Sequence, residues 1–241
     1  MTNVLLVTIV FSAAVLQAVT GFGFALIVMP LLTLVFPLRT AVPLVAITGF
    51  TAYAVNLVRF REAVNWREVL RLAAASAVGI PIGIWALSRV PELTISRILG
   101  LVLLGYGLYS LAAPVLPRLP GRWWFVPVGI LAGCLGAAYN TPGPPVVVYG
   151  ALRQWPKDEF RAVVQTLFFL NGILIVGSHL IAHNVTRQVW ALYALAAPVL
   201  LLGLWTGSRL DRKVDQQLFR TVVTWTILAL GVSMVLGLGR K

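Results

Sequence analysis

Gly83-Ile-Trp-Ala-Leu-Ser-Arg89 returns 120 residues later as Gly203-Leu-Trp-Thr-Gly-Ser-Arg209, and this recurrence decides the fold. A long internal match predicts two copies of one structural unit. The segment Pro114-Val-Leu-Pro117-Arg-Leu-Pro120-Gly121 cannot continue a helix, so it marks the boundary between the copies. We therefore divide the chain into a first repeat, 1–117, and a second repeat, 118–241. Two further pairs match at similar offsets: Phe36-Pro37 with Trp155-Pro156, and Gly21-Phe-Gly23 with Asn140-Thr-Pro-Gly143.

The composition predicts an integral membrane protein. Of the 241 residues, 59% are hydrophobic and 11% charged, with a mean hydropathy of +0.92. A soluble domain of this length could not wet so much apolar surface. Apolar runs of about 17 to 25 residues, the length that spans a bilayer core, alternate with short charged loops. No room remains for a nucleotide-binding domain.

The net charge of +12 does not indicate a nucleic-acid partner. The basic residues are spread over every loop, and no soluble aromatic face carries them. In a membrane protein such an excess reflects orientation and contact with anionic lipid. The expected partners are a small anionic substrate and membrane lipid, with further copies of the same chain left open as a homo-oligomer.

Each repeat opens with an apolar element too long for one crossing, at about 4–37 and 123–152. The first is interrupted at Thr20-Gly-Phe-Gly23, and the second at Tyr139-Asn-Thr-Pro-Gly-Pro-Pro145. Three single helices are expected to follow each leading element. Those helices are predicted near 41–58, 69–88 and 95–113 in the first repeat, and near 162–182, 188–207 and 217–237 in the second.

Counting the positive charges distinguishes two topologies. If each leading element crosses once, the two sides carry 9 and 10 Lys and Arg residues. If each enters and returns as a hairpin, the sides carry 13 and 6. Because basic residues accumulate on the inner side, the hairpin topology is favoured. Each repeat then has an odd number of crossings, so the fold class is all-α polytopic with two inverted repeats, each a broken helical hairpin plus three transmembrane helices.

The two interruptions are the candidate substrate site. All seven carboxylates fall in predicted loops, so a buried acidic site for cations is not expected. Broken helices expose backbone N–H groups and a positive dipole end, which together suit an anion. The alternative is that the breaks serve packing alone. The candidate substrate-binding residues are Gln17, Thr20, Gly21, Gly23, Asn140, Thr141, Gly143, Gln165 and Asn171.

Other polar residues carry weaker signals. Gln165 and Asn171 face either a central cavity or a neighbouring helix, and Asn56 reads as structural, since amides in lipid usually join helices. His179 and His183 have metal-ligand spacing but no visible third ligand. Arg161 is either an ordinary inner-side charge or part of an anion entry path. We therefore predict no metal and no cofactor.

Catalytic motifs are missing from the sequence, so an enzyme is not expected. There is no nucleophile elbow, no zinc-protease motif and no phosphate-binding loop. An intramembrane hydrolase would need a serine facing a histidine, but Ser178 and His179 are adjacent and point in different directions.

The chain resembles the TauE/SafE family of membrane permeases over nearly its whole length. The resemblance rests on Thr20-Gly-Phe-Gly-Phe-Ala-Leu-Ile-Val-Met-Pro30, on Gly79-Ile-Pro-Ile-Gly83, and on Gly143-Pro-Pro-Val-Val-Val-Tyr149 followed by Phe160-Arg-Ala162. Many members carry a run of glycines where this chain has Tyr139-Asn-Thr141. The resemblance implies transport of small sulfur-containing anions, such as sulfite or organosulfonates, across a prokaryotic inner membrane, in the outward direction. An anion channel or a membrane subunit of a larger complex is the alternative.

Overall fold

The computed structural model describes residues 2–112, 121 and 123–210, together with residues 224, 225, 228, 229, 231, 232, 235 and 236; a few side chains within these ranges, including that of Thr20, are not described. The described part contains nine α-helices and one 3-10 turn, Arg61–Ala63. The helices are α1 Thr2–Thr20, α2 Phe24–Thr33, α3 Leu38–Phe60, α4 Trp66–Arg89, α5 Glu92–Ala112, α6 Phe125–Tyr139, α7 Gly143–Leu152, α8 Lys157–Ile181 and α9 Arg187–Leu210.

Five of the described helices, α1, α3, α4, α8 and α9, are long and apolar enough to cross a bilayer. Shorter apolar stretches lie in α2, α5 and α6. The all-α fold and the polytopic membrane character predicted from composition are thus confirmed. Each half begins with a helix, a break and a ten-residue helix: α1 and α2 in one half, α6 and α7 in the other.

The two halves exchange packing partners. Helix α1 packs along α9, and α6 packs along α4. The first helix of each half therefore lies against the fourth helix of the other half. Glycines permit this close approach: a Cβ at Gly203 would lie 2.7 Å from Ala14 Cβ, and one at Gly207 would lie 2.5 Å from Val15 O. The same stretch in α4 places Gly83 directly on the backbone of Cys134 in α6. The recurrent glycines of the sequence therefore serve equivalent helix contacts in both halves.

Helices α3 and α8 cross at the centre and run antiparallel. Phe50 stacks on Phe169 with ring centroids 5.0 Å apart, and Tyr53 meets Phe168 at 5.2 Å. At the C-terminal end of α3, the centre of the Phe60 ring lies 5.6 Å from the Arg161 guanidinium carbon. As residue numbers rise along α3 they fall along α8. Because α3 and α8 hold the same place in their halves, the halves are oriented oppositely.

Each broken element turns back as a hairpin. The C-terminus of α1 lies beside the C-terminus of α3, where Arg59 Nη1 donates to Ala18 O at 3.3 Å. Since α2 connects this end of α1 to the start of α3, it must run back along α3, as the charge count predicts. In the other half, Asn140 at the end of α6 reaches Val42 at the start of α3. At about 1.5 Å per residue, α2 and α7 cover only about half of a bilayer core.

The positions of four acidic residues differ from the sequence expectation. Glu68, Glu92, Asp158 and Glu159 lie in the first turns of helices and not in loops, because acidic side chains stabilise a helix N-terminus and extend it beyond the apolar run. The proline-rich boundary at 114–120, together with Asp211 and Asp215, lies outside the described residues, so the division at 117/118 stays a prediction. Only part of the expected helix at 217–237 is described, and there Gly231 packs against Gly100 of α5.

Glu68 is buried at the start of α4 and joins the two halves there. Its carboxylate accepts a hydrogen bond from Tyr149 Oη of α7 at 3.0 Å. Arg153 Nη2 and Arg71 Nη1 lie 3.6 Å and 3.7 Å from the same carboxylate. Glu68 thus holds the C-terminal end of the α7 half-helix to a helix of the other repeat.

Candidate functional site

The first break, residues 21–23, is shaped by two glycines with positive φ. Gly21 has φ 80° and Gly23 has φ 101°, a region that side-chain-bearing residues rarely adopt. At Gly21 the neighbour also leaves no room, since an added Cβ would lie 2.7 Å from Arg161 Cγ. Arg161 therefore packs directly over the break.

Side chains from other helices satisfy the carbonyls at the end of α1. A helix C-terminus leaves its last carbonyls without partners inside the helix. Here Arg59 of α3 donates to Ala18 O, Arg161 of α8 donates to Val19 O, and Gln165 of α8 donates to Gly21 O. The two guanidinium groups also complement the negative end of the α1 dipole. The break is thus held by residues more than 40 positions away in sequence.

The start of α2 is capped by a side chain of α1. Gln17 Oε1 accepts the hydrogen bond of Phe24 N–H at 2.9 Å, and the Gln17 side chain is fully buried. This N–H group is therefore not open for an anion. Gln17 Nε2, in contrast, has no hydrogen-bond partner among the described residues. The Gln17 amide is therefore a free donor at this break.

The second break begins with Asn140 in the left-handed conformation, φ 55°. The Asn140 N–H bonds Gly136 O at 2.8 Å, the bond of an αL C-cap, and the Thr141 N–H bonds Leu135 O at 3.2 Å. Asn140 Nδ2 donates to Val42 O at 2.9 Å. Its amide is therefore occupied by the fold, whereas the buried Thr141 Oγ1 has no described partner.

The first turn of α7 has few backbone donors. Pro144 and Pro145 carry no N–H, so only Gly143 and Val146 can donate within this turn. The positive end of the half-helix dipole remains. Recognition of an anion at this break would depend on the dipole, on these two groups and on the Thr141 hydroxyl.

The two half-helices approach each other near Phe168 of α8. A Cβ at Gly143 would lie 3.7 Å from Phe168 Cζ and 3.9 Å from Leu26 Cδ1 of α2. A small cavity opens beside this point, lined by Asn140, Asn171, Tyr53 and apolar neighbours, with room for about one water molecule. Asn171 Nδ2 donates to Ser76 Oγ at 2.8 Å across the cavity wall. The structure is closed around this centre.

The predicted site residues fall into two groups. Gln17, Gly21, Gly23 and Gln165 gather at the first break, while Asn140, Thr141, Gly143 and Asn171 gather at the second. Thr20 ends α1, and its side chain lies outside the described part.

The substrate-binding residues predicted from the sequence do not include Asn56, Arg59 and Arg161. Asn56 is buried in α3 with no described partner for Nδ2. Arg161 is 5% exposed and covers Gly21. The sequence does single out Arg161, because it lies in the Phe160-Arg-Ala162 segment on which the family resemblance rests. No local sequence pattern connects Arg59 or Asn56 with the break.

Metal binding gains no support from the described residues. Within 2–112, 121, 123–210 and the described C-terminal residues, no three His, Cys, Asp or Glu side chains come together. His179 Nδ1 lies 3.2 Å from Asn184 Nδ2 at the end of α8, which gives it a neighbour at the helix end.

Comparison with known proteins identifies the family. The profile of the family described as sulfite exporter TauE/SafE matches residues 6–234. The chain belongs to this family. A protein of Cupriavidus necator named probable sulfite/organosulfonate exporter TauE is 23% identical over 226 residues, covering 91% of this chain and 88% of the relative. A probable inner membrane transporter protein TsaS of Comamonas testosteroni is 26% identical over 184 residues, covering 75% and 76%. No solved structure matches the chain.

The family and the fold agree on the class of protein. The family profile covers nearly the whole chain, and five of the described helices are long and apolar enough to cross a membrane. The chain is therefore a multi-pass membrane transporter of the TauE/SafE family.

Proposed function

We propose that this transporter moves small sulfur-containing anions, such as sulfite or an organosulfonate, outward across a prokaryotic inner membrane by alternating access. The observation that carries the proposal is the meeting of two half-helix N-termini, α2 and α7, from oppositely oriented halves near Phe168. Such paired broken helices suit substrate sites in secondary transporters. The names of the two relatives support the sulfur-anion class and the inner-membrane location.

The charge distribution around the breaks supports an anionic substrate. Two half-helix dipoles present their positive ends, and Arg59 and Arg161 add guanidinium groups at the first break. The acidic residues in the described part of the chain lie at helix N-termini or in the Arg61–Ala63 turn, and none of them is in either break. A cation would find no compensating charge there.

The proposed site uses the polar atoms that the fold leaves unsatisfied. Gln17, Gln165 and Thr141 each carry a buried side-chain atom without a described hydrogen-bond partner. A buried polar atom without a partner costs about 1–3 kcal/mol, so such atoms are rare unless they serve a ligand or water. Gly21, Gly23 and Gly143 would allow the substrate to approach the backbone closely. The remaining residues of the proposed site are Asn140, Asn171 and Thr20.

The driving force can be the membrane potential alone. Moving one negative charge out of a cell with an inside-negative potential gains about 2.3 kcal/mol per 100 mV. Export of a monoanion therefore needs no coupling ion and no cofactor. No chemical reaction is part of this proposal, and the chain acts as a carrier and not as an enzyme.

Thr141→Val tests the site. The substitution keeps the shape and removes a hydroxyl that has no partner in the fold, so the melting temperature should stay unchanged or rise. If the hydroxyl contacts the substrate, sulfite flux into proteoliposomes should fall by roughly tenfold. Thr166→Val is the matched control, because the Thr166 hydroxyl bonds Ala162 O within α8. Normal sulfite flux in Thr141→Val would remove Thr141 from the site.

A channel or a membrane subunit of a complex is the second candidate. The cavity beside the second break has space for about one water molecule, which favours a closed carrier state over an open pore. Saturable exchange of substrate across liposomes would support the carrier, whereas a conductance that does not saturate would support the channel. Transport that required a second protein would support the subunit.

A further inference from the structure

Asn56 lies at the same depth as Gln165 in the contact between α3 and α8. It belongs to the stripe of α3 whose Tyr53 and Phe60 contact α8, at spacings of three and four residues. Gln165 lies between the two partners of that stripe on the antiparallel helix. Both side chains are buried, at 2% and 0% exposure. Asn56 is thus placed next to Gln165, which itself contacts the first break through Gly21 O.

Among the described residues, two donors and one acceptor in this region have no hydrogen-bond partner. The Gln17 amide has its orientation fixed because Oε1 accepts from Phe24 N–H, which leaves Nε2 as an unused donor. In the Gln165 amide the nitrogen is the bonded atom, because Nε2 donates to Gly21 O. This bond leaves Oε1 as an unused acceptor. Asn56 Nδ2 adds a second unused donor.

We propose that Gln17, Asn56 and Gln165 form a selectivity site at the first break for an oxyanion that keeps one O–H or N–H donor beside its charged oxygens. Hydrogensulfite and sulfamate belong to this class. Gln17 Nε2 and Asn56 Nδ2 donate to the oxyanion oxygens, and Gln165 Oε1 accepts from the ligand. The inference rests on the proposed function and narrows its substrate class.

The charges around the break fit a monoanion. Arg59 of α3 and Arg161 of α8 each place a guanidinium group at the C-terminus of α1. Helices α1 and α2 contribute no titratable side chain. An anion with acceptors alone would leave Gln165 Oε1 buried without a partner, and this penalty is the source of the discrimination.

Two ligands of nearly equal shape isolate the donor. Methanesulfonate and sulfamate are both monoanions with three oxygens on sulfur, but only sulfamate carries N–H groups. The measurement is the ligand-induced rise in melting temperature of the purified protein, titrated with each ligand and with sulfite. The wild type is expected to bind sulfamate roughly tenfold more tightly than methanesulfonate.

The variants separate recognition from structure. Gln165→Met removes the acceptor, so the preference for sulfamate should vanish; a purely structural role would weaken both ligands equally. Asn56→Leu removes an unpartnered amide of similar size, so the ligand-free protein should melt at the same or a higher temperature while the affinity for both ligands falls. Thr48→Val is the control on α3, because the Thr48 hydroxyl bonds Leu44 O within its own helix.

The outcomes distinguish this inference from the proposed function. Sulfite binding with equal affinities for sulfamate and methanesulfonate, or with unchanged affinities in Asn56→Leu, would overturn the selectivity site and leave the sulfur-anion carrier intact. Ordered water would then be the partner of the free atoms. No shift with any of the three anions, in a folded protein, would overturn both.

Discussion

At the scale of single residues, the two glycines of the first break differ in a way that can be measured. Gly21 and Gly23 both need positive φ, which costs a residue with a Cβ about 1–2 kcal/mol. Only Gly21 also lies against Arg161, whose Cγ would be 2.7 Å from an added Cβ; no atom lies within 4 Å at Gly23.

Gly21→Ala is therefore expected to destabilise the protein more than Gly23→Ala. The second variant should lose about 1–2 kcal/mol of unfolding free energy from backbone strain. The first should lose more, because Arg161 must also move from its place over the break. Thermal unfolding in detergent measures both, and equal losses would show that Arg161 does not pack against Gly21.

At the scale of helices, the close contact of α4 with α6 depends on glycine. Gly79 lies directly on Ile130 O of α6, whereas Gly105 in α5 has no atom within 4 Å of an added Cβ. Gly79→Ala should separate the two helices and lower the free energy of unfolding by about 3 kcal/mol or more, which is the upper range for an overpacked core.

Gly105→Ala is the control and should stabilise its helix by about 0.5–1 kcal/mol, because alanine loses less backbone entropy. The readout is the melting temperature of each variant. A Gly79→Ala protein as stable as the wild type would contradict the described α4–α6 contact.

The α7 half-helix is held at its other end by Tyr149, which gives a second test at this scale. Tyr149→Phe keeps the edge contact with Trp155, at 5.4 Å between ring centroids, and removes the bond to Glu68. A hydrogen bond to a charged group contributes about 1.5–3 kcal/mol. We expect a lower melting temperature and faster proteolysis in the 153–156 loop, and unchanged proteolysis there would mean that Glu68 does not hold α7.

The breaks themselves could be predicted from sequence, but their partners could not. Gly21, Gly23 and three prolines interrupt the helices by local rules, and the charge count distinguishes hairpins from single crossings. The bond from Gln165 to Gly21 O joins residues 144 positions apart. Such contacts depend on how α3 and α8 cross, which no local pattern encodes, so Asn56 and Arg59 were not recognised.

At the scale of the whole molecule, the antiparallel crossing of α3 and α8 predicts opposite sides for two exposed loops. Glu62 follows α3 and Asn184 follows α8, both exposed. In a Cys134→Ala background, a cysteine at Glu62 should react only from the inner side, which carries 13 of the basic residues, and one at Asn184 only from the outer side. An impermeant maleimide on intact cells and on inverted vesicles reports this, and labelling of both positions from one side would contradict the inverted arrangement.

The central claim is that the two breaks form one anion site that opens alternately to each side. Counterflow of radiolabelled sulfite in proteoliposomes tests it most directly, with wild type, Thr141→Val and Thr166→Val measured together. The account predicts saturable uptake that is accelerated by unlabelled sulfite inside the liposomes, weakened in Thr141→Val and normal in Thr166→Val. Flux that rises linearly with concentration and ignores internal sulfite would contradict it.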